Sequence, residues 1–233
     1  MIIPTRLTLA LIIMAAIAMP TTAIGDQAPA TWDGLVLVKS KRFDRVYLAP
    51  DADFTPYTKI MLDPTEVAFR KNWLRDYNRS SLSIDRRLTE DDAQKAMDLV
   101  KTGFAKSFVD AFQKAGYQIV QTPGPDVLRL RTAVVNLDIS APDIMRAGRS
   151  RSFASEAGQA TVVIEARDST TGALLGRALD ARLAGDNSRD LRNSITNRAD
   201  FTRLFDRWAN SSIEGLAQLK ANSPLKPGAV ANK

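Results

Sequence analysis

"VVIEARDSTTGALLGRALDARL", residues 162–183, reads as two strands around one polar turn. Val162, Ile164 and Ala166 share one phase while Glu165 and Arg167 take the other, the two-residue period of a half-buried strand. Asp168 and Ser169 suit the entry to a turn, and Gly172 suits its left-handed position. A three-residue loop of Thr170, Thr171 and Gly172 predicts that Glu165 stands across from Arg177 as an exposed cross-strand pair. So many polar side chains around one glycine have the look of an active site. A hairpin accounts for all of them, through a backbone angle, turn hydrogen bonds and a wet strand face. Asp180 stands apart, in a strand otherwise built of small and apolar residues. Burial beside an arginine would give it a structural role.

Working outward, residues 127–139 alternate as Leu128 and Leu130 against Arg129 and Arg131, then as Val135, Leu137 and Ile139 against Asn136 and Asp138. The change of phase predicts a bulge or bend near Ala133-Val134. Tyr117 to Gln121 and Val46-Tyr47-Leu48 are shorter strand candidates, and Tyr57 to Phe69 is a β-rich run interrupted by Pro64, which marks an edge or a bulge. The stretch from Arg70 to Leu88 has no clear period and reads as an irregular surface excursion.

Two helices are predicted. Thr89 before Glu90-Asp91-Asp92 is an N-cap followed by acids where the helix dipole favours them. Ala93, Ala96, Met97, Val100, Phe104, Phe108, Ala111 and Phe112 then form one apolar stripe, and Gly116 ends the helix. Phe104, Phe108 and Phe112 read as a core face rather than a ligand box. A second stripe of Phe201, Leu204, Phe205, Trp208, Ile213, Leu216 and Leu219 has Asp200 as its candidate N-cap. These elements predict a two-layer α+β fold: a mainly antiparallel sheet of about five to six strands with two main helices on one face. The organisation expected is a signal segment over 1–23, one domain over 24–220 and a flexible tail over 221–233.

The signal reading rests on Arg6, the apolar run Leu7 to Met19, Pro20, and the small residues Thr21-Thr22-Ala23. The run is short for a membrane span, so cleavage after Ala23 is expected, with an uncleaved anchor as the alternative. The chain carries a net charge of +6, or +5 without Arg6. On an exported protein that balance points away from nucleic acid and toward anionic headgroups or envelope polymers.

The 233 residues include no Cys and no His. Disulfides, thiolate ligands, imidazole bases and lipidation at a cysteine are therefore all closed to this chain. Neither a metal nor a cofactor is expected, and no glycine sits in a phosphate-binding pattern.

Trp32-Asp33-Gly34-Leu35, Val46-Tyr47 with Pro50 to Phe54, and Val67-Ala68-Phe69 through Trp73-Leu74 resemble a bacterial family. The "DSTTG" turn with Asp180, and Asn197 to Asp200 with Trp208-Ala209, continue the likeness in order. The family is the domain of unknown function DUF3313. The resemblance implies an exported envelope protein of a Gram-negative-type bacterium with no assigned activity. Many such proteins look like lipoproteins, whereas the absence of Cys here points to a free periplasmic form.

Two surfaces are candidates for binding. Arg146, Arg149 and Arg151 lie among small residues in a long loop, suited to an anionic headgroup or a carboxylate-bearing partner. Trp73 with Arg75 and Tyr77 combines an aromatic anchor with positive charge, although a Trp at the core edge reads equally well. The leading reading is a non-enzymatic periplasmic protein binding an envelope protein or an anionic polymer. The alternatives are a hydrolase or lyase using paired carboxylates, and a peripheral binder of anionic lipid.

Overall fold

The computed structural model describes residues 28–81, 87–140, 152–153, 158–185, 191–192 and 194–225. The expected signal segment, Arg146, Arg149 and Arg151, and residues 226–233 lie outside the described residues.

Eleven strands and three helices follow one another among the described residues. The strands β1 (Thr31–Trp32), β2 (Leu35–Val38), β3 (Arg45–Leu48), β4 (Lys59–Leu62) and β5 (Glu66–Phe69) precede α1 (Trp73–Ser80) and α2 (Glu90–Lys114). Then come β6 (Gln118–Ile119), β7 (Val127–Ile139), β8 (Ser152–Phe153), β9 (Gly158–Asp168), β10 (Leu174–Ala184), β11 (Leu191–Arg192) and α3 (Ser194–Ala221). The α+β class is as the sequence predicts. The main sheet is larger than expected, with nine strands in the order β1-β2-β3-β10-β9-β7-β4-β6 and β5 also on β7. It is mixed: β4 and β5 run parallel to β7, and β6 runs parallel to β4, while the remaining pairs are antiparallel. Of the main sheet, β1 and β2 escaped notice because two to four residues cannot display a period.

Pro64 explains why β4 and β5 are separate. Both lie along β7, Lys59–Leu62 beside Val127–Leu130 and Glu66 onward beside Ala133, and the proline falls in the gap where no N–H is demanded. Asp63 N–H still reaches the Leu130 carbonyl at 3.0 Å, and the buried hydroxyls of Thr65 and Thr132 meet at 2.9 Å.

The hairpin forms with Arg177 opposite Glu165 and Gly172 at φ 74°, but its loop runs over residues 169–173 rather than the three expected, and a register shift between Leu174 and Gly176 restores that pairing. The pair is not exposed as expected: Glu165 and Arg177 are 6% and 5% exposed. Trp32 from β1 covers the guanidinium, which lies 4.1 Å from the ring centroid, and residues so distant in sequence leave no local sign of that cover.

The phase change in β7 also occurs, but between Val135 and Asp138 rather than at Ala133-Val134. Asn136 adopts φ 51° there, a left-handed angle that short polar side chains tolerate, and the buried residues switch from Leu130 and Val134 to Leu137 and Ile139. Gly158 packs against this bulge, where a Cβ would lie 1.9 Å from the Asp138 carbonyl oxygen.

Thr89 caps α2 reciprocally: its hydroxyl accepts the Asp92 N–H at 3.2 Å and the Asp92 carboxylate accepts the Thr89 N–H at 2.9 Å. Phe104, Phe108 and Phe112 are buried in the core with Val134, Val162 and Ile164 from the sheet and Phe205 and Trp208 from α3. Both long helices therefore cover one sheet face. Gly103 on α2 lets the Phe205 ring approach the backbone, 3.5 Å from where a Cβ would stand.

Two expectations about helices are corrected. Part of the supposed irregular segment is α1, in which Trp73 stacks on Phe69 at 3.9 Å and meets Tyr77 one turn on. Burial of that aromatic cluster overrides the weak local pattern. Asp200 is not an N-cap, since α3 begins at Ser194, and it lies buried within the helix, paired with Arg203. At the other end, the described part of the expected tail is packed: Leu225 is buried and donates its N–H to the Ala52 carbonyl at 3.0 Å.

Candidate functional site

A cavity of about 900 Å3 opens between the helix-covered face of the sheet and the C-terminal half of α3. Strand residues whose side chains point to that face supply its floor: Leu48 on β3, Leu128 and Leu130 on β7, Ile164 and Ala166 on β9, Ala178 on β10. Phe54 and Phe112 close one end, and Leu216, Leu219 and Leu225 form the wall opposite. Two glycines leave room. At Gly176 a Cβ would come within 2.9 Å of Leu48, and at Gly215 on α3 it would meet nothing within 4 Å.

The mouth is formed by Lys39 to Phe43, the turn between β2 and β3. Arg42 reaches across it to α3, with Nε donating to Glu214 at 3.0 Å and Nη1 donating to Gln218 at 2.8 Å. Among the described residues, the charged side chains lining the cavity are basic, Lys39, Lys41 and Arg42; Arg177 also borders it, but its guanidinium pairs with Glu165 on the opposite sheet face. Size, apolar lining and a few charges at one end are the features of a preformed ligand site.

The opposite sheet face is ionic. Across β7, β9, β10 and β3 run Arg131, Glu165, Arg177 and Tyr47, each beside the next. Glu165 accepts from Arg177 at 2.6 and 3.1 Å and from Arg167 at 2.9 and 3.0 Å, while Arg177 Nη1 lies 2.8 Å from Asp33. Burial pushes the Glu165 carboxyl up, but the two guanidinium partners outweigh it and hold the group below its usual range. A smaller polar hollow beside this row is lined by Asp63, Glu66, Arg129, Arg131 and Arg167. Arg129 Nε meets both oxygens of Asp63 at 2.9 and 3.0 Å, and Arg131 lies 3.6 Å from Glu66.

The predicted Trp73 surface is differently placed. Trp73 is 2% exposed and its indole N–H has no hydrogen-bond partner, so the ring belongs to the core. Arg75 faces outward and pairs with Asp76 at 2.9 Å, and Tyr77 is half-buried. Trp73 and Tyr77 are in contact, yet neither they nor Arg75 line the cavity. Sequence reasoning missed the cavity. Its one legible sign is the basic run Lys39-Ser40-Lys41-Arg42 between two short strands, with Gly215 interrupting the stripe of α3 as a second hint.

Among the described residues no helix is long and apolar enough to cross a membrane, and no three acidic, His or Cys side chains form a metal-holding group. The fold and cavity define an α+β protein with a ligand-sized apolar chamber under its last helix. Residues 29–212 match the family model described as "Protein of unknown function (DUF3313)". The chain belongs to that family.

No curated protein matches the chain in sequence. Solved structures similar to it include PelC, a dodecamer from Paraburkholderia phytofirmans, at 12% identity and TM-score 0.34, covering 71% of this chain and 94% of that one. The DUF330-family protein XCC0632 from Xanthomonas campestris is similar at 12% identity and TM-score 0.36, covering 75% and 91% respectively. A putative neuraminyllactose-binding hemagglutinin homologue from Helicobacter pylori is similar at 8% identity and TM-score 0.33, covering 76% and 91%.

Proposed function

We propose that this is an exported, periplasmic protein of the cell envelope that binds a ligand in the cavity beneath α3 and does not catalyse a reaction. The observation that carries the reading is the chamber itself, about 900 Å3 of largely apolar space whose charged lining among the described residues is wholly basic. Export is supported by the apolar run Leu7 to Met19 followed by Pro20 and Thr21-Thr22-Ala23. Against a paired-carboxylate mechanism stands the placement of the acids. None of the described residues lining the chamber is acidic, and Asp63, Glu66 and Glu165 each face arginine. A general acid needs its proton near neutral pH, and an arginine partner favours the ionised form.

The test is to express the full chain in a Gram-negative host with a photo-crosslinking residue at Lys41. The chain is then released by osmotic shock after irradiation. The expected result is a periplasmic protein carrying a discrete adduct of one envelope component. A protein retained in the cytoplasm overturns the export reading. Hydrolysis of an envelope polymer that disappears in Asp63→Asn or Glu66→Gln overturns the non-enzymatic one.

A further inference from the structure

We infer that the cavity takes a single-chain anionic amphiphile, an acyl chain with an acidic head, its tail beneath α3 and its head at Lys39 and Lys41. The inference rests on the binding reading above and names its ligand class.

The polar groups around the chamber decide the chemistry of the occupant. Ser212 Oγ already donates to the Trp208 carbonyl at 2.8 Å, and Asn222 Nδ2 donates to the Gln218 carbonyl at 2.7 Å. The Gln218 side-chain oxygen accepts from Arg42, and Ser40 Oγ accepts the Arg42 and Phe43 N–H groups at 3.1 Å each. These contacts engage the Ser212 and Asn222 donors and the Ser40 and Gln218 oxygens within the protein, and the polar capacity left on Ser40, Gln218 and Asn222 sits on exposed residues. A ligand with polar groups along its body would lose water against the floor of Leu48, Leu128, Leu130, Ile164, Ala166 and Ala178, whose side chains offer no partner, at a cost of roughly 1–3 kcal/mol per group. The buried part of the ligand must be hydrocarbon.

The mouth sets the head. Lys39 and Lys41 are exposed and have no ion pair among the described residues, whereas Arg42 is held by Glu214. A carboxylate or phosphate there finds two uncommitted ammonium groups, while a cationic head meets two like charges. The Arg42 crossing to α3 lies over the entrance, so the chain must pass beside it or displace it.

Gly215 supplies a variant that separates filling from unfolding. Gly215 lines the chamber and a Cβ there would meet nothing within 4 Å, so Gly215→Leu is the substitution to take up ligand volume. Leucine is also the better helix former by about 0.5–1 kcal/mol, so the fold is kept.

The experiment uses the full chain, stripped of co-purifying lipid, with a dansylated undecanoate as reporter. Tetradecanoate, tetradecanol and tetradecyltrimethylammonium compete below their aggregation concentrations. Tetradecanoate is expected to displace the reporter at one site per chain, with tetradecanol weaker by about tenfold or more and the cationic analogue inactive. The double variant Lys39→Glu, Lys41→Glu loses the preference for tetradecanoate while keeping its affinity for tetradecanol. Gly215→Leu loses affinity for both by about tenfold or more, with its melting temperature unchanged or raised.

Equal affinity for the three heads, no displacement, or indifference to Gly215→Leu overturns the inference. So does a dimer in light scattering that Gly215→Leu dissociates, which would assign the groove to a second copy. Failure here with an intact Lys41 adduct in envelopes leaves the binding reading standing. Tetradecanoate binding by a chain found in the cytoplasm does the reverse.

Discussion

The carboxylate of Asp180, on β10, accepts the indole N–H of Trp208, on α3, at 2.8 Å. Both residues are almost fully buried, and the same carboxylate accepts the Asp44 N–H at 3.1 Å and pairs with Arg182 at 2.8 Å. One acidic group thus ties sheet, helix and the β2–β3 turn together beside the cavity mouth. Burial pushes its carboxyl above the usual range, against the pull of Trp208 and Arg182. Removing the acceptor leaves the indole and a backbone N–H without partners. Asp180→Leu is expected to cost about 2–4 kcal/mol and Asp180→Asn less, because the amide keeps one acceptor oxygen. Urea unfolding of the two variants checks the order.

The buried Glu165–Arg177 pair should behave as a unit. Arg177→Ala leaves a buried carboxylate with Arg167 alone and is expected to cost about 3 kcal/mol. Glu165→Leu with Arg177→Met removes both charges and should recover most of that loss. A double-mutant cycle in urea reads the coupling directly.

Acid should expose the same pair. Glu165 has its folded pKa held below the ordinary 4.5, so the stability it contributes is complete above that value and is lost as pH falls through the folded pKa. Asp180 has the opposite sign: its raised folded pKa favours the folded state on acidification, and ionisation costs stability as pH rises. Between about pH 6 and about pH 3, Glu165→Gln should flatten the decline in unfolding midpoint and Asp180→Asn should steepen it. Circular dichroism at fixed urea steps follows both.

Two glycine substitutions should move stability in opposite directions. Gly158→Ala puts a Cβ 1.9 Å from the Asp138 carbonyl oxygen at φ 151° and is expected to cost about 3 kcal/mol or more. Gly103→Ala meets Phe205 at an ordinary 3.5 Å in mid-helix and should stabilise by about 0.5–1 kcal/mol. Thermal melts of the pair test the packing on both sides of the core.

The turn between β9 and β10 depends on Asp168. Its Oδ1 accepts the Thr170 N–H at 3.0 Å, the Thr171 N–H at 2.7 Å and the Thr171 hydroxyl at 2.8 Å, and its Oδ2 accepts the Tyr57 hydroxyl at 2.9 Å. Asp168→Ala should cost about 1–2 kcal/mol and Tyr57→Phe about 0.5–1.5 kcal/mol. The double variant should cost less than their sum, since one bond is shared. Equilibrium unfolding of the three variants settles it.

The sequence by itself determined what is local and periodic. The alternation of Val162, Ile164 and Ala166 and the glycine at 172 set the β9–β10 hairpin, while the length of its loop and the shift between Leu174 and Gly176 were not legible there. Thr89 with Asp92 and the Phe104-Phe108-Phe112 spacing set α2 and its buried face, and the α+β class followed. The absence of His and Cys limited the available chemistry before any contact was known.

Tertiary structure alone decided the rest. Nothing beside Glu165 announces that Trp32, far away in sequence, will cover its partner Arg177, and nothing near Trp73 announces that Phe69 will bury it in a helix. The chamber is the extreme case. Its floor comes from four strands, its wall from α3 and its basic mouth from the turn at Lys39 to Phe43, so no single segment carries its pattern. Periodicity records which face of an element avoids water. It does not record where two such faces fail to meet, and the empty space beneath α3 is a failure of that kind.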